Sequence, residues 1–407
     1  MATHLIVQIP WFQLNVGIPS QDLTFQVISI RQTVKMHAPL ASLTFASLAA
    51  AALPDGVIEL PLQRIKNQSA YGAEFLVGTP PQKAIILADT GSPTYAFETP
   101  KNSVCQRGLC SEYGTYDNTS SSTTKWLNDG YNDLLIDHGF GSYINDTLTF
   151  GGVTVTDMMF GAVELNAASF PIDTQQTAIF GLGAFCDTKA CDTYPTFLNQ
   201  LQQKGVISRR AFSVYLGPND ADATGSLLIG GIDLAKRQGP VYKVKVEDPS
   251  IPAANSQPNF VSLSSLQLQL ANGTKVTSTY DNGTYALWDT GNPHWYVQQD
   301  LFDALTNYWG IPNPDLTNDP VVDCKFREPS ADSIAVNIAP GVSLDVPLSS
   351  IPVDMGDGTC TVAVYPYGEA LGDPFLRNVY FTFDYEDLTI EFSLVKYTDE
   401  TNIVKIE

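Results

Sequence analysis

Along most of the chain, apolar and polar positions alternate in short runs rich in β-branched and aromatic residues. The runs include "GAEFLVG", "KAIILAD", "TLTFGGVTVTDMMFGAV", "AFSVYL", "GSLLIGG", "PVYKVKV", "VSLSSLQLQL", "KVTSTY", "YALWD" and "VYFTFDYEDLTIEFSLV". A period of two places one face of each run in a core and predicts strands. Asn-Gly, Gly-Gly and Asp-Gly pairs between the runs supply turns. Helical spacing is scarce. "TFLNQLQQKG" (196–205) and "QQDLFDALTNYWG" (298–310) are the best helices, each closed by Gly. The pattern predicts a largely β protein over a doubly wound α/β one.

One feature of this pattern occurs twice. "LADTGSPTYAF" (87–97) and "LWDTGNPHWYV" (287–297) each carry an apolar run into Asp-Thr-Gly, one polar residue and Pro. Each is followed at similar distance by an apolar stretch ending in Gly: "AIFG" at Gly181 and "EALG" at Gly372. A single Asp-Thr-Gly means little, because an aspartate often caps its own turn. Two copies in matching surroundings predict two similar halves, joined near residue 239. Equivalent turns of halves packed about a pseudo-twofold axis meet at that axis. Asp89 and Asp289 then face each other, cannot both ionise easily, and share one proton. A water held between them can be deprotonated while a substrate carbonyl is protonated. That is amide hydrolysis by general acid–base catalysis, with no covalent intermediate, metal or cofactor.

Charge narrows the function classes. The 407 residues contain 22 Lys+Arg against 43 Asp+Glu, a formal net charge of -21. This argues against nucleic-acid binding and against docking on anionic membranes. An acidic working pH is compatible with it, since protonation relieves self-repulsion. The six cysteines form two C-x4-C sets, "CQRGLC" and "CDTKAC", and a third set 36 residues apart. His4, His37, His138 and His294 all lie away from the cysteine pairs, which favours disulfides over zinc. No G-x-S-x-G, H-E-x-x-H or Walker loop is present.

Residues 36–52, "MHAPLASLTFASLAAAA", read as a signal peptide starting at Met36; the competing reading is an apolar helix docked on the domain. Residues 1–35 are then an unstructured stretch or an extension upstream of the true start. Five Asn-x-Ser/Thr sequons, at Asn67, Asn118, Asn145, Asn272 and Asn282, point to a secretory route. The polar C-terminus "TDETNIVKIE" and the lack of a second apolar span give no membrane anchor.

Over about residues 70–395 the chain resembles the pepsin-like aspartic proteases, the fungal secreted branch in particular. "FLVGTPPQKAIILADTGS" is similar to the family's first strand, turn and active-site loop. "AIFGLG" and "ALGDPFLRNVYFTFDYEDLTIEFS" are similar to its first-lobe and C-terminal stretches. The resemblance implies an all-β, bilobal fold of two β-barrel lobes with a cleft between them. It implies a monomeric, secreted or vacuolar acid endopeptidase acting on polypeptides, with Asp89 and Asp289 as the dyad. Thr90 and Thr290 would reach across the axis to the opposite backbone. Gly91 and Gly291 would admit backbone amides to the carboxylates, and Ser92 would hydrogen-bond the outer oxygen of Asp89. Cys324–Cys360 corresponds to the family's long C-lobe disulfide and Cys105–Cys110 to its short N-lobe one. Residues 53–69 become a short leader, 70–239 the N-terminal lobe and 240–407 the C-terminal lobe.

Several positions depart from the family pattern. Asn292 stands where Thr or Ser matches Ser92. His138, Gly139, Phe140 and Gly141, then Ser142, match a substrate-covering flap that reads Tyr-Gly-Thr-Gly-Ser in the family and is longer there. The Trp that supports the flap Tyr is Ala96. A third cysteine pair, Cys186–Cys191, lies in the N-lobe, while the pair expected before Asp289 is missing. Leader residues 53–69 are too few for a bulky pro-segment. His138 either places a positive charge near the dyad in acid or is solvated on a hairpin tip. His294 is read as structural. The altered flap and Asn292 keep open a second function, a pepsin-fold binding or inhibitor protein with weak or lost catalysis.

Overall fold

Alternation in the sequence becomes alternation in burial: along Gly139–Phe150 every second side chain from Ser142 onward enters the core. The computed structural model describes residues 52–65, 70–133, 139–165, 178–183, 194–220, 224–246, 259–281 and 284–407. These lie in one unit, Ala52–Glu407. Its first ten strands are β1 (Ile58–Ile65), β2 (Ala70–Val77), β3 (Gln82–Asp89), β4 (Tyr95–Glu98), β5 (Lys125–Asp133), β6 (Gly139–Phe150), β7 (Val153–Leu165), β8 (Ala178–Gly181), β9 (Ala211–Tyr215) and β10 (Thr224–Ile229).

A thirteen-stranded sheet runs from Arg237–Lys245 through Thr389–Val395, Val379–Asp384, β9, β10, β1, β2, β3, β8, β4, β7 and β6 to β5. The strand containing the expected junction at residue 239 thus belongs to the sheet that both halves share. The duplication is explicit in the pairing. β2 lies antiparallel to β3, β3 parallel to β8, β8 antiparallel to β4, and β4 parallel to β7. In the second half, Phe260–Ser262 lies antiparallel to Tyr285–Trp288, which runs parallel to Ala370–Leu371. Ala370–Leu371 is antiparallel to Trp295–Val297, itself parallel to Val364–Pro366. The same order and polarity therefore carry each Asp-Thr-Gly. The fold is all-β and bilobal.

The helices form where their spacing predicts, at Phe197–Gln203 and Gln299–Tyr308. The first is capped by the Thr196 hydroxyl, which accepts from Asn199 N–H. Phe197 enters an aromatic cluster with Phe75, Tyr95, Phe150 and Phe180; its ring meets Phe180 at 4.5 Å and 86°. Each such ring contributes about 2–3 kcal/mol through burial, and together they fix the sheet on which β3 ends. In the second half Trp288, the residue before Asp289, is packed by Phe375, Phe381 and Phe392.

Candidate active site

Each aspartate is delivered at the end of a strand of its own half, Gln82–Asp89 in the first and Tyr285–Trp288 in the second. Asp89 closes β3 and lies beside Gly181 in the parallel β8 pairing. A Cβ at Gly181 would stand 2.2 Å from the Thr94 carbonyl oxygen, and one at Gly372 would stand 2.2 Å from that of His294. No larger residue can accompany the turns through these gaps.

The two turns are interlocked by a reciprocal hydrogen-bond set. The Thr90 hydroxyl donates to the Trp288 carbonyl at 2.7 Å and accepts from Thr290 N–H at 3.0 Å. The Thr290 hydroxyl donates to the Ala88 carbonyl at 2.7 Å and accepts from Thr90 N–H at 3.1 Å. All four bonds cross from one lobe to the other. Each carboxylate is pressed against the opposite turn. A Cβ at Gly91 would fall 2.3 Å from Cγ of Asp289, and one at Gly291 would fall 2.5 Å from Oδ1 of Asp89.

The donors around the two carboxyl groups are unequal. Asp89, 4% exposed, accepts from Gly91 N–H at 2.7 Å and from the Ser92 hydroxyl at 2.5 Å. Asp289 accepts from Gly291 N–H at 2.8 Å. Asn292 does not reproduce the role of Ser92. Its Oδ1 accepts from His294 N–H at 3.0 Å, and this is its only side-chain hydrogen bond among the described residues. The Asp289 carboxyl is pushed well above the ordinary carboxylate range. The causes are burial first, then the charge of Asp89 and a hydrogen bond with it; Gly291 N–H acts in the opposite direction. One edge of Asp289 still reaches solvent, but dense protein on its other sides outweighs that opening. Burial and the neighbouring carboxylate thus disfavour the charged form of Asp289, while Asp89 accepts from two donors.

Three participants carry no motif. Buried Asn259 donates to the Thr90 carbonyl and lies 2.8 Å from the Tyr385 hydroxyl, which is also 2.8 Å from the Leu182 carbonyl. These two residues prop the first turn from the other half. Asp373, fully buried in the "LGDPF" stretch, lies close enough to Asp289 to oppose its ionisation once Asp373 is itself ionised. Its own carboxyl is pushed up to about 8 by burial, against the opposing charges of Arg377 and Arg64. The only signal for Asp373 was its place beside Gly372; none marked Asn259.

Gly139, Phe140 and Gly141 lie at the start of β6 in the β5–β6 hairpin. His138 lies outside the described residues, as do Cys186, Cys191, Asn67 and Asn282. Cys105–Cys110 and Cys324–Cys360 are bonded. Asn272 is exposed and Asn118 half-buried, whereas Asn145 sits within β6 with its Oδ1 buried. His294 packs against the Tyr365 ring, tilted by 49° at 4.2 Å, and reaches Asp319 through Nε2 at 3.3 Å.

Two β lobes that bring the carboxyl groups of a duplicated Asp-Thr-Gly together define an aspartic-type peptide hydrolase. The family model for eukaryotic aspartyl proteases matches residues 70–395, and the chain belongs to that family. It is an aspartic-type endopeptidase. Candidapepsin of Candida tropicalis is 28% identical over 363 residues, 85% of this chain and 84% of the relative. Secreted aspartic protease 8 of Candida albicans is 27% identical, covering 83% of this chain and 79% of that protein. Candidapepsin-3 of Candida albicans is likewise 27% identical and covers 85% of both chains.

Proposed function

We propose that the protein is a secreted acid endopeptidase that hydrolyses peptide bonds with a water activated between Asp89 and Asp289. The observation that carries the reading is the pair of carboxyl groups coupled across the lobe interface with unequal donors. Asp89, with two donors, bears the negative charge; Asp289 bears the proton. As the water oxygen bonds to the peptide carbon, Asp89 takes the water proton and Asp289 gives its own to the carbonyl oxygen. The resulting gem-diol collapses as Asp89 protonates the amine nitrogen and Asp289 recovers a hydroxyl proton. The C–N bond breaks and the starting protonation is restored.

In this reading, residues 36–52 direct export, 70–239 and 240–407 are the two lobes, with β1 (Ile58–Ile65) of the expected leader instead paired into the sheet between β10 and β2, and His138–Gly141 form the flap over the cleft. The secreted relatives support the export route. Digestion of a denatured protein across acidic pH, with and without a statine-type transition-state inhibitor, tests the activity. Inhibitor-sensitive cleavage in acid is expected. Asp89→Asn and Asp289→Asn should each lower turnover by at least about a thousandfold while the fold is kept, because Asn can neither hold nor accept the proton. Near wild-type turnover in either variant refutes the dyad. An inert wild-type protein that still binds the inhibitor returns the binding-protein reading.

A further inference from the structure

On β4, Tyr95 and Phe97 face the main core, so Ala96 faces the other side of the sheet. There Ala96 and Val163 pack with Tyr131, which comes from the hairpin strand β5 and is only 6% exposed. β4 and β7 run parallel with Ala96 opposite Gly161. The Tyr131 ring lies directly on that glycine. A Cβ at Gly161 would stand 2.3 Å from Cε2 of Tyr131 and 2.4 Å from its Cδ2, closer than any real contact. Gly161 is thus a seat cut to the thickness of this ring.

The rest of the hairpin stem conforms to the same fit. Tyr131 is paired with Gly141 on β6, and a Cβ at Gly141 would stand 1.9 Å from the Ala162 carbonyl oxygen. Tyr143 meets Tyr131 edge-on at 5.3 Å and stacks on Tyr194 at 4.0 Å. A small residue at 96, a glycine at 161 and an aromatic on the hairpin therefore fit one another. The side chain that fills this space belongs to the hairpin, so it moves with the hairpin.

We propose that Tyr131 is a positioning residue that seats the β5–β6 hairpin on the N-terminal lobe for substrate binding. The inference rests on the reading of that hairpin as the cover of the cleft. Without the ring, the seated hairpin becomes one of several positions. Apparent affinity for a peptide falls in proportion to the seated fraction. A saturating peptide restores the seated state, so the loss falls on KM and spares kcat.

Steady-state hydrolysis of one fluorogenic peptide at acidic pH tests this, with thermal unfolding of the same preparations in parallel. Tyr131→Phe, which keeps the ring, should hold KM within about twofold of wild type. Tyr131→Leu and Gly161→Ala should each raise KM about tenfold with kcat within about threefold. In Tyr131→Ala, adding Gly161→Ala should raise KM no further, because the methyl enters space that the ring has left. Wild-type KM in Tyr131→Leu overturns the inference, whether or not its Tm falls. So does a double variant whose KM increase is the product of the single increases. If Gly161→Ala fails to fold, the comparison of Tyr131→Phe with Tyr131→Leu decides alone. A wild-type enzyme inert on the peptide refutes the protease reading instead, which separates the two failures.

Discussion

Asp373→Asn should flatten the dependence of stability on pH between about pH 5 and pH 7. The side chain is fully buried, and neither carboxyl oxygen has a hydrogen-bond partner among the described residues. Burial raises its carboxyl from 3.8 to about 8. Between these two values the folded protein holds a proton that the unfolded chain releases. Stability is then fully present below about pH 4 and declines as pH rises towards 8, by about 1.4 kcal/mol per unit. Over two pH units the loss is about 2–3 kcal/mol. Asp289 titrates in the same direction, so the measurement belongs in an Asp289→Asn background, which also prevents autolysis. The dyad is not among the causes of the Asp373 shift, so the background leaves that shift in place. Urea unfolding at pH 5, 6 and 7 should give a steeper fall for Asp289→Asn than for the double variant, by nearly one proton. Parallel lines would refute the argument. A wild-type stability that rises with pH, with the rise lost in Asp373→Asn, would show that Arg377 and Arg64 hold Asp373 ionised.

Thr90→Val should destabilise the fold by about 2–5 kcal/mol, because it orphans the buried Thr290 N–H and Trp288 carbonyl. Thr290→Val should cost a similar amount, and urea unfolding of both in the Asp289→Asn background checks the symmetry. Replacing Cys324 and Cys360 with Ser opens a 36-residue loop and should cost roughly 4 kcal/mol, against roughly 2 kcal/mol for the Cys105–Cys110 pair, five residues apart. Thiol titration of the denatured, unreduced protein should find no free cysteine; two or more would exclude a Cys186–Cys191 bond. His138→Gln should move the acidic limb of the pH–activity profile to higher pH, since it removes a positive charge that favours the ionised dyad. Overlapping limbs would place His138 away from the dyad's field.

What could be read from the sequence divides along a physical line. Strand positions were legible because a half-buried strand must alternate, as Gly139–Phe150 does. The meeting of the Asp89 and Asp289 turns was legible because duplication repeats a local motif, and a turn needs only neighbouring residues to be specified. The reciprocal threonine bonds follow from the same repeat. Asn259, Tyr385 and Asp373 were not legible as site residues, because each acts through contacts with distant parts of the chain. Asn259 and Tyr385 are 126 residues apart and meet beside Thr90. No spacing rule announces such an encounter.

Asn292 shows a further limit. Its residue type allows a hydrogen bond to Asp289, and the sequence offers no reason to exclude one. The loop instead uses the Asn292 side chain to hold His294 N–H, while its carbonyl accepts from Asp373 N–H at 3.0 Å. With the side chain held by Oδ1 in this way, the Asn292 amide N–H2 makes no hydrogen bond to Asp289 among the described residues. The inequality matters to the proposed mechanism: Ser92 donates to Asp89 and has no counterpart at Asp289, which is the reason for placing the charge on Asp89 and the proton on Asp289. A symmetric repeat provides two carboxyl groups; in the proposed mechanism the departure from symmetry at 292 sets which of them carries the charge and which the proton.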